Sequence, residues 1–228
     1  MPQNSYIEHP KFHVAVDCVI FGYENDELKL LLYPRRFTPS KGDWSLMGGF
    51  VQETETLDDS SRRVLLQTVG LNNIYLEQVR GFSEPNRDPG ARVISMAFYA
   101  LIRIDEHDSK LASLHSGNWW PITKIPELVF DHNQMVHEAL EKLQQKASYK
   151  LIGKELLPEQ FTLTQLHNLY NAIFQKNFDA GNFRKKIASL NVLEKLALKD
   201  TSTSKRGAYY YRFKDDADTF EYDRIVKL

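Results

Sequence analysis

The chain has 228 residues, of which 42% are hydrophobic and 26% are charged, and its formal net charge is −1. This suits a globular protein with one large domain or two small ones. No apolar run approaches the ~20 residues of a membrane span, no secretory signal is visible, and a single cysteine, Cys18, excludes an internal disulfide. We therefore expect a cytoplasmic protein without membrane association, in which Cys18 is a buried strand thiol.

The charges are unevenly distributed. Residues 1–149 carry 15 Lys and Arg against 20 Asp and Glu, whereas residues 150–214 carry 12 against 5. The last fourteen residues carry 2 against 5, so the three net charges are −5, +7 and −3. A basic block beside an acidic one favours nucleic-acid binding when it coincides with a suitable fold. We expect a domain of residues 1–149 with a linking helix, followed by a second domain of residues 150–228.

The first domain has the pattern of a mixed α/β protein. Apolar and β-branched runs predict strands at residues 13–22, 28–33, 74–82 and 92–104. The linking helix is predicted at about residues 134–146, with an apolar stripe of Met135, Val136, Ala139, Leu140 and Leu143.

Another helix is predicted within GFVQETETLDDSSRRVLLQTVGL, residues 49–71. Thr56 is its predicted N-cap, acidic residues occupy the first turn, and Gly70 closes it. Apolar residues recur at spacings of three and four, which indicates one buried face. Taken alone, this is an ordinary amphipathic helix packed on a sheet, with Glu55 and Arg63 as a structural ion pair.

The second domain has the pattern of a winged helix-turn-helix. Thr162 and Gln165 form a predicted capping box for an apolar-striped helix, and a second helix follows at about residues 182–190. A hairpin with a polar tip comes next. A basic helix can enter the major groove while a hairpin contacts phosphates. The candidate DNA-binding residues are Asn182, Arg184, Lys185, Lys186 and Ser189 on the helix, and Lys205 and Arg206 at the tip.

The segment of residues 49–71 resembles the Nudix box, G-x5-E-x7-R-E-U-x-E-E-x-G-U, in which U is a bulky aliphatic residue. The matching positions are Gly49, Glu55, Arg63, Leu65, Gly70 and Leu71. In that family, carboxylates after the Arg hold Mg²⁺ against a substrate diphosphate, and the corresponding residues here are Val64, Gln67 and Thr68. Val64 offers no oxygen ligand and the other two offer only neutral ones. The resemblance therefore implies a degenerate Nudix box with no metal, no cofactor and no catalytic residue.

The chain from about residue 12 to 214 is similar to the Nudix-related transcriptional regulators. The similarity rests on residues 81–102, 129–143, 161–174, 178–187 and 207–213. It implies an α/β Nudix fold, a mixed sheet between helices, that senses a small molecule, followed by a winged helix that binds an operator in double-stranded DNA, most simply as a repressor. Because one winged helix covers few base pairs, we expect a homodimer on a palindromic site, with the linking helix around residues 135–143 in its interface.

The family includes a branch that recognises ADP-ribose and branches that govern sugar utilisation, including arabinose. The missing carboxylates favour an uncharged or weakly charged effector over a metal-bound diphosphate. A pentose is therefore the effector that we expect, and a nucleotide-sugar is the alternative. Sugar sites combine aromatic platforms with planar charged groups. Candidates for this site are Arg35, Arg36, Trp44, Phe82, Glu84 and Arg92.

Asp131, His132 and His137 do not have the spacing that places two metal ligands on one helix face. A helix-capping role for Asp131 or Asn133 is favoured instead.

Two alternatives remain open. The chain could be a divergent Nudix pyrophosphohydrolase that acts on ADP-ribose or a related nucleoside diphosphate, using Glu55 and other acidic residues such as Glu53. It could also be a nucleotide sensor that works through a protein partner.

Overall fold

The computed structural model describes residues 8–70, 74–104, 117–201 and 207–215, together with 217, 222, 225 and 226. Its strands are β1 (His13–Glu24), β2 (Glu27–Pro34), β3 (Trp44–Ser45), β4 (Met47–Phe50), β5 (Tyr75–Phe82), β6 (Val93–Arg103), β7 (Asn118–Pro121), β8 (Phe161–Thr162), β9 (Leu193–Asp200) and β10 (Ala208–Phe213). Its α-helices are α1 (Leu57–Val69), α2 (His132–Tyr149), α3 (Leu163–Phe174) and α4 (Ala180–Leu190). The predicted strands and helices lie within a few residues of these bounds. The short strands β3, β4, β7 and β8 were not predicted, because they are too brief to carry a periodic pattern.

The first domain is a seven-stranded mixed sheet between two helices. Its order is β3-β2-β1-β6-β5, with β4 paired to β1 and β7 paired to β2. The long central strand β1 pairs in parallel with β6 and antiparallel with β2 and β4. This confirms the predicted α/β architecture, with a mixed sheet between helices.

The two helices cover opposite faces of the sheet. One face, with Cys18 and Phe98, packs against Val64 of α1. The other face, with Phe21, packs against Met135 of α2. Alternate residues of a strand point to opposite faces, so Val16, Cys18 and Ile20 of β1 serve one core while Val19 and Phe21 serve the other.

Cys18 is fully buried, as predicted, and burial raises the pKa of its thiol. In the described part of the chain, no helix is both long enough and apolar enough to span a membrane.

The second domain is a winged helix. Thr162 accepts a hydrogen bond from the amide of Gln165, whose side chain accepts one from the amide of Thr162, so the predicted capping box is confirmed. The two helices α3 and α4 pack through Tyr170 and Phe183, whose ring centroids are 5.2 Å apart. The strands form a sheet in the order β8-β10-β9.

The helix α2 connects the two domains. Its apolar residues Met135, Val136, Ala139 and Leu143 are 0–2% exposed, because they pack inside this chain. These four side chains are therefore not available to a partner subunit, and the prediction that the linking helix takes part in a dimer interface stays a prediction for its exposed face. Near the other end of α2, Gln144 donates a hydrogen bond of 2.9 Å to the carbonyl oxygen of Ile173 in α3.

Candidate functional site

A cleft of about 630 Å³ opens between the β5–β6 loop and the start of α2. Its volume is in the range of small-molecule binding sites. The lining combines charged, amide and aromatic side chains, and it includes Arg80, Phe82, Glu84, Arg87, Phe130, Asp131 and Gln134. The cleft lies on the α2 face of the sheet, since Phe82 belongs to the same core as Met135.

A buried ion pair forms one wall of the cleft. Arg87 donates two hydrogen bonds to Asp131, from Nε at 2.8 Å and from Nη2 at 2.7 Å, and its side chain is only 3% exposed. Asp17 lies 3.7 Å from the same guanidinium and accepts a hydrogen bond of 2.6 Å from Ser95. Buried charges need such partners, because an unpaired one is costly to desolvate.

This pairing changes the role predicted for Asp131. It occupies the N-cap position of α2, but its side chain makes no capping hydrogen bond because the carboxylate is taken by Arg87. The side chain of Asn133 accepts a hydrogen bond from the amide of Leu128 instead. Asp131 is therefore the N-cap residue of α2, as predicted, but neither of the two side chains makes a capping hydrogen bond.

His132 lies beneath the ion pair. Its Nδ1 accepts a hydrogen bond of 3.1 Å from the amide of Leu46, and burial lowers the pKa of the imidazole, so the ring is neutral at pH 7. The other nitrogen, Nε2, is 3.8 Å from a carboxylate oxygen of Asp17. The structure therefore assigns the Nε2–H tautomer, with Nδ1 as the acceptor.

Phe130 adopts a left-handed backbone conformation, with φ of 55°. This conformation is unfavourable for a bulky residue and is maintained only by its surroundings. It places the ring edge-on to His132, at 5.8 Å, and beneath the guanidinium of Arg35, at 4.9 Å.

The six residues predicted to bind the effector fall into three groups. Phe82 and Glu84 line the cleft. Arg35 reaches it by stacking on Phe130, and Arg92 donates a hydrogen bond of 3.3 Å to the carbonyl oxygen of Glu84.

The remaining two do not line the cleft. Trp44 is half-buried and packs edge-on against Trp120, with ring centroids 5.4 Å apart, and Arg36 is exposed.

Sequence reasoning missed Arg80, Arg87, Phe130 and Gln134. Arg87 lies in the segment 81–102 that carries the family resemblance, and Gln134 and Phe130 lie in the segment 129–143. Nothing in the sequence indicates that these two segments meet.

The Nudix-box helix is built as predicted at both ends. Thr56 and Asp59 form a capping box, and Gly70 ends the helix with φ of 67°. Arg63 binds Glu55 through two hydrogen bonds of 2.5 and 2.9 Å, which lower the pKa of Glu55 to about 2. Leu71, the last position of the box, lies outside the described residues.

The side chains of Val64, Gln67 and Thr68, where the resemblance implies metal-binding carboxylates, offer no carboxylate oxygen. Val64 is 3% exposed, and the buried hydroxyl of Thr68 donates a hydrogen bond of 2.6 Å to the carbonyl oxygen of Val64. Gln67 lies on the exposed side of the helix. These residues do not fit Mg²⁺, which requires several available oxygens. Within the described ranges, no three His, Cys, Asp or Glu side chains are grouped as a metal site.

The helix α4 presents most of the predicted DNA-binding residues to solvent. Asn182, Arg184, Lys185 and Ser189 are exposed and Lys186 is half-buried, whereas Phe183 and Ile187 face the core. The amide of Asn182 donates to the N-cap Asp179, and Arg184 donates to the hydroxyl of Thr164 at 3.3 Å. Lys205 and Arg206 lie outside the described residues.

The wing is the hairpin of strands β9 and β10, and its described part has a further cationic surface. The ammonium groups of Lys195 and Lys199 lie 3.6 and 4.5 Å from the ring centroid of Tyr209. Both lysines are exposed, so the surface is available to an anionic partner.

Two protein families match the chain. The NUDIX domain matches residues 11–139, and the NrtR DNA-binding winged helix domain matches residues 153–213. The chain is 29% identical to the ADPR responsive transcriptional repressor NtrR of Acinetobacter baylyi, over 96% of this chain and 89% of that protein. It is 33% identical to the ADP-ribose pyrophosphatase of Methanocaldococcus jannaschii, over 57% of this chain and 73% of that enzyme.

Solved structures of one protein, Shewanella oneidensis NrtR, are similar to this chain. The complex with a 27mer DNA has a TM-score of 0.83 at 31% identity and covers 94% of this chain and 99% of its own. The NUDIX domain in complex with ADP ribose has a TM-score of 0.53 at 30% identity and covers 63% of this chain and 99% of its own.

Proposed function

Since the chain belongs to the NrtR-like family, in which a winged-helix domain follows a NUDIX domain, we propose that it is a DNA-binding transcriptional repressor whose NUDIX domain binds ADP-ribose. The observation that carries this proposal is the likeness to a protein solved on DNA, which extends over both domains and 94% of this chain. The net charge of +7 over residues 150–214 supports it, because cationic residues neutralise DNA phosphates.

ADP-ribose replaces the pentose that the sequence led us to expect. The comparisons give no support to a pentose effector or to a sugar-utilisation branch, whereas two relatives are described with ADP-ribose as ligand or effector. The argument for an uncharged effector assumed that a diphosphate needs a metal ion. Arg80, whose side chain is 46% exposed, borders the cleft, and guanidinium groups bind phosphate oxygens directly.

The NUDIX domain, in this proposal, binds its ligand without hydrolysing it. Val64, Gln67 and Thr68 lack the carboxylates that hold a catalytic Mg²⁺ in this family. The alternative, a pyrophosphohydrolase, is favoured by the likeness to the Methanocaldococcus jannaschii enzyme. Glu55 occupies the first Glu position of the Nudix box and is a carboxylate that such an enzyme would use, but it is already paired with Arg63.

The test uses the full-length protein and duplexes enriched from a random library by selection on that protein. Fluorescence anisotropy then measures DNA binding while ADP-ribose or arabinose is added. We expect ADP-ribose to lower the DNA affinity and arabinose to leave it unchanged. ADP-ribose at 100 times its Kd should also stabilise the protein by ~2.7 kcal/mol. Failure to enrich any duplex would overturn the assignment as a DNA-binding protein, and an effect of arabinose alone would restore the sugar effector.

A further inference from the structure

Arg80 lies between two cavities. One is the cleft described above, and the other is a shallow groove of about 610 Å³ along the outer side of α2. Arg80 and Gln134 belong to the walls of both. ADP-ribose has a corresponding arrangement, since its central diphosphate separates an adenosine half from a ribose half just as Arg80 separates the two cavities.

The guanidinium of Arg80 is already positioned for an anion. It stacks on Phe82, with its central carbon 4.1 Å from the ring centroid, and Nη1 donates a hydrogen bond of 2.9 Å to the carbonyl oxygen of Gly81. Phe82 is only 3% exposed, so it provides a rigid platform. The remaining donors, Nε and Nη2, bind both carboxylate oxygens of Glu138 in α2. In this bidentate geometry two parallel N–H groups of the guanidinium bind two oxygens, and arginine binds a phosphate group in the same way.

The Arg80–Glu138 pair can exchange partners more easily than the pair on the opposite wall. The Arg80 side chain is 46% exposed, whereas that of Arg87 is 3% exposed and also lies near Asp17. An exposed ion pair contributes little net stability, so a doubly charged ligand can replace the carboxylate at small cost.

We propose that Arg80 is the residue that recognises the diphosphate of the effector, and that Glu138 is the group that the diphosphate displaces. This inference rests on the proposed function. The adenosine and ribose halves then occupy the cavities on either side of Arg80.

Displacement of Glu138 would couple effector binding to the DNA-binding domain through α2. Glu138 belongs to α2, and Gln144 of the same helix is hydrogen-bonded to α3 of the winged helix. Loss of the Arg80–Glu138 ion pair removes one contact between α2 and β5. The effector therefore favours a position of α2 in which this ion pair is broken.

The experiment is a double-mutant cycle measured by isothermal titration calorimetry, with ADP-ribose and inorganic pyrophosphate as ligands. Glu138→Gln should bind both ligands about two- to fivefold more tightly than the wild type, because Arg80 no longer has a competing anion. Arg80→Gln should bind them about tenfold more weakly. In the Arg80→Gln background, Glu138→Gln should produce no gain. The control is Glu194→Gln, which removes the same charge from an equally simple exposed ion pair, with Arg212 in the winged helix, and whose residues line neither cavity.

The outcomes separate this inference from the proposed function. If the wild type binds ADP-ribose but Glu138→Gln binds no better than Glu194→Gln, the displacement is refuted and the proposed function remains. If Arg80→Gln binds as tightly as the wild type, Arg80 is not the recognition residue. If the wild type binds neither ligand, the proposed effector and this inference both fail. Thermal midpoints of all variants, measured without ligand, identify any loss of folding.

Discussion

Asn168 in α3 donates a hydrogen bond of 2.9 Å to the carboxylate of Asp26, at the tip of the β1–β2 hairpin. The same carboxylate accepts a hydrogen bond of 3.0 Å from the hydroxyl of Tyr23. Asn25 and Asp26 both have positive φ, 51° and 60°, as a tight two-residue hairpin turn requires. The winged helix therefore contacts the NUDIX sheet directly at this turn, in addition to its contact with α2.

We predict that Arg87→Met destabilises the protein strongly. The substitution leaves the half-buried carboxylate of Asp131 without its partner, and removing one member of a largely buried pair costs ~3 kcal/mol. Urea unfolding of the ligand-free protein measures the change. The matched control is Arg80→Met, which breaks an exposed pair and should cost ~1 kcal/mol or less. Equal losses in the two variants would contradict the assignment of Arg87 as the structural partner.

We predict that His132 makes the protein less stable in mild acid. The imidazole titrates with its ordinary pKa of 6.5 in the unfolded chain, and burial lowers its pKa in the folded protein. The unfolded chain therefore binds more protons between these two pKa values, and the free energy of unfolding decreases as the pH falls below 6.5. His132→Asn can still accept the hydrogen bond from Leu46 but cannot titrate, so its free energy of unfolding should depend less steeply on pH. Parallel slopes for the variant and the wild type would exclude His132 as the cause.

We predict no Mg²⁺-dependent hydrolysis of ADP-ribose above a slow background rate. The reason is the absence of carboxylates at residues 64, 67 and 68. Glu55→Gln should lower the thermal midpoint, if it has any effect, because it weakens the pairing with Arg63. Release of AMP, followed by chromatography with and without EDTA, is the measurement. Turnover that both EDTA and Glu55→Gln abolish would identify the chain as an enzyme.

We predict that α4 and the wing have different roles in DNA binding. Arg184→Ala should cost ~1–3 kcal/mol and relax sequence preference, if the arginine pairs with a guanine. Lys205→Ala or Arg206→Ala should weaken binding to all sequences and reduce the salt dependence by about one unit per lost contact. Anisotropy titrations across salt, on selected and scrambled duplexes, distinguish the two effects. A change of sequence preference in the wing variants, with none in Arg184→Ala, would reverse the assignment.

We predict a homodimer in solution, because two winged helices double the length of DNA that is recognised. Sedimentation velocity at micromolar concentration, with and without the selected duplex, measures the oligomeric state. The apolar stripe of α2 is buried within the chain, so Leu143→Ala should reduce stability without specifically dissociating the dimer. A monomer under both conditions would contradict this prediction.

The sequence by itself determined the features that depend only on residues close together in the chain, namely the helix ends and the buried faces of the helices. Thr56 and Thr162 start their helices through side-chain hydrogen bonds to residues three positions later, and Gly70 ends α1. Such contacts form within one turn of a helix, so capping residues and apolar periodicity are enough to predict them. The alternating basic and apolar residues of α4 likewise identified the exposed face of the winged helix.

Only the tertiary structure decided the location of the cleft and the partners of its charges. Arg87 and Asp131 are 44 residues apart, and Arg80 and Glu138 are 58 apart. No periodic pattern relates such positions, because their proximity depends on the packing of α2 across the sheet. For the same reason, the sequence could not show that the apolar stripe of α2 covers this chain's own sheet: a sequence pattern identifies a buried face but not the surface that buries it.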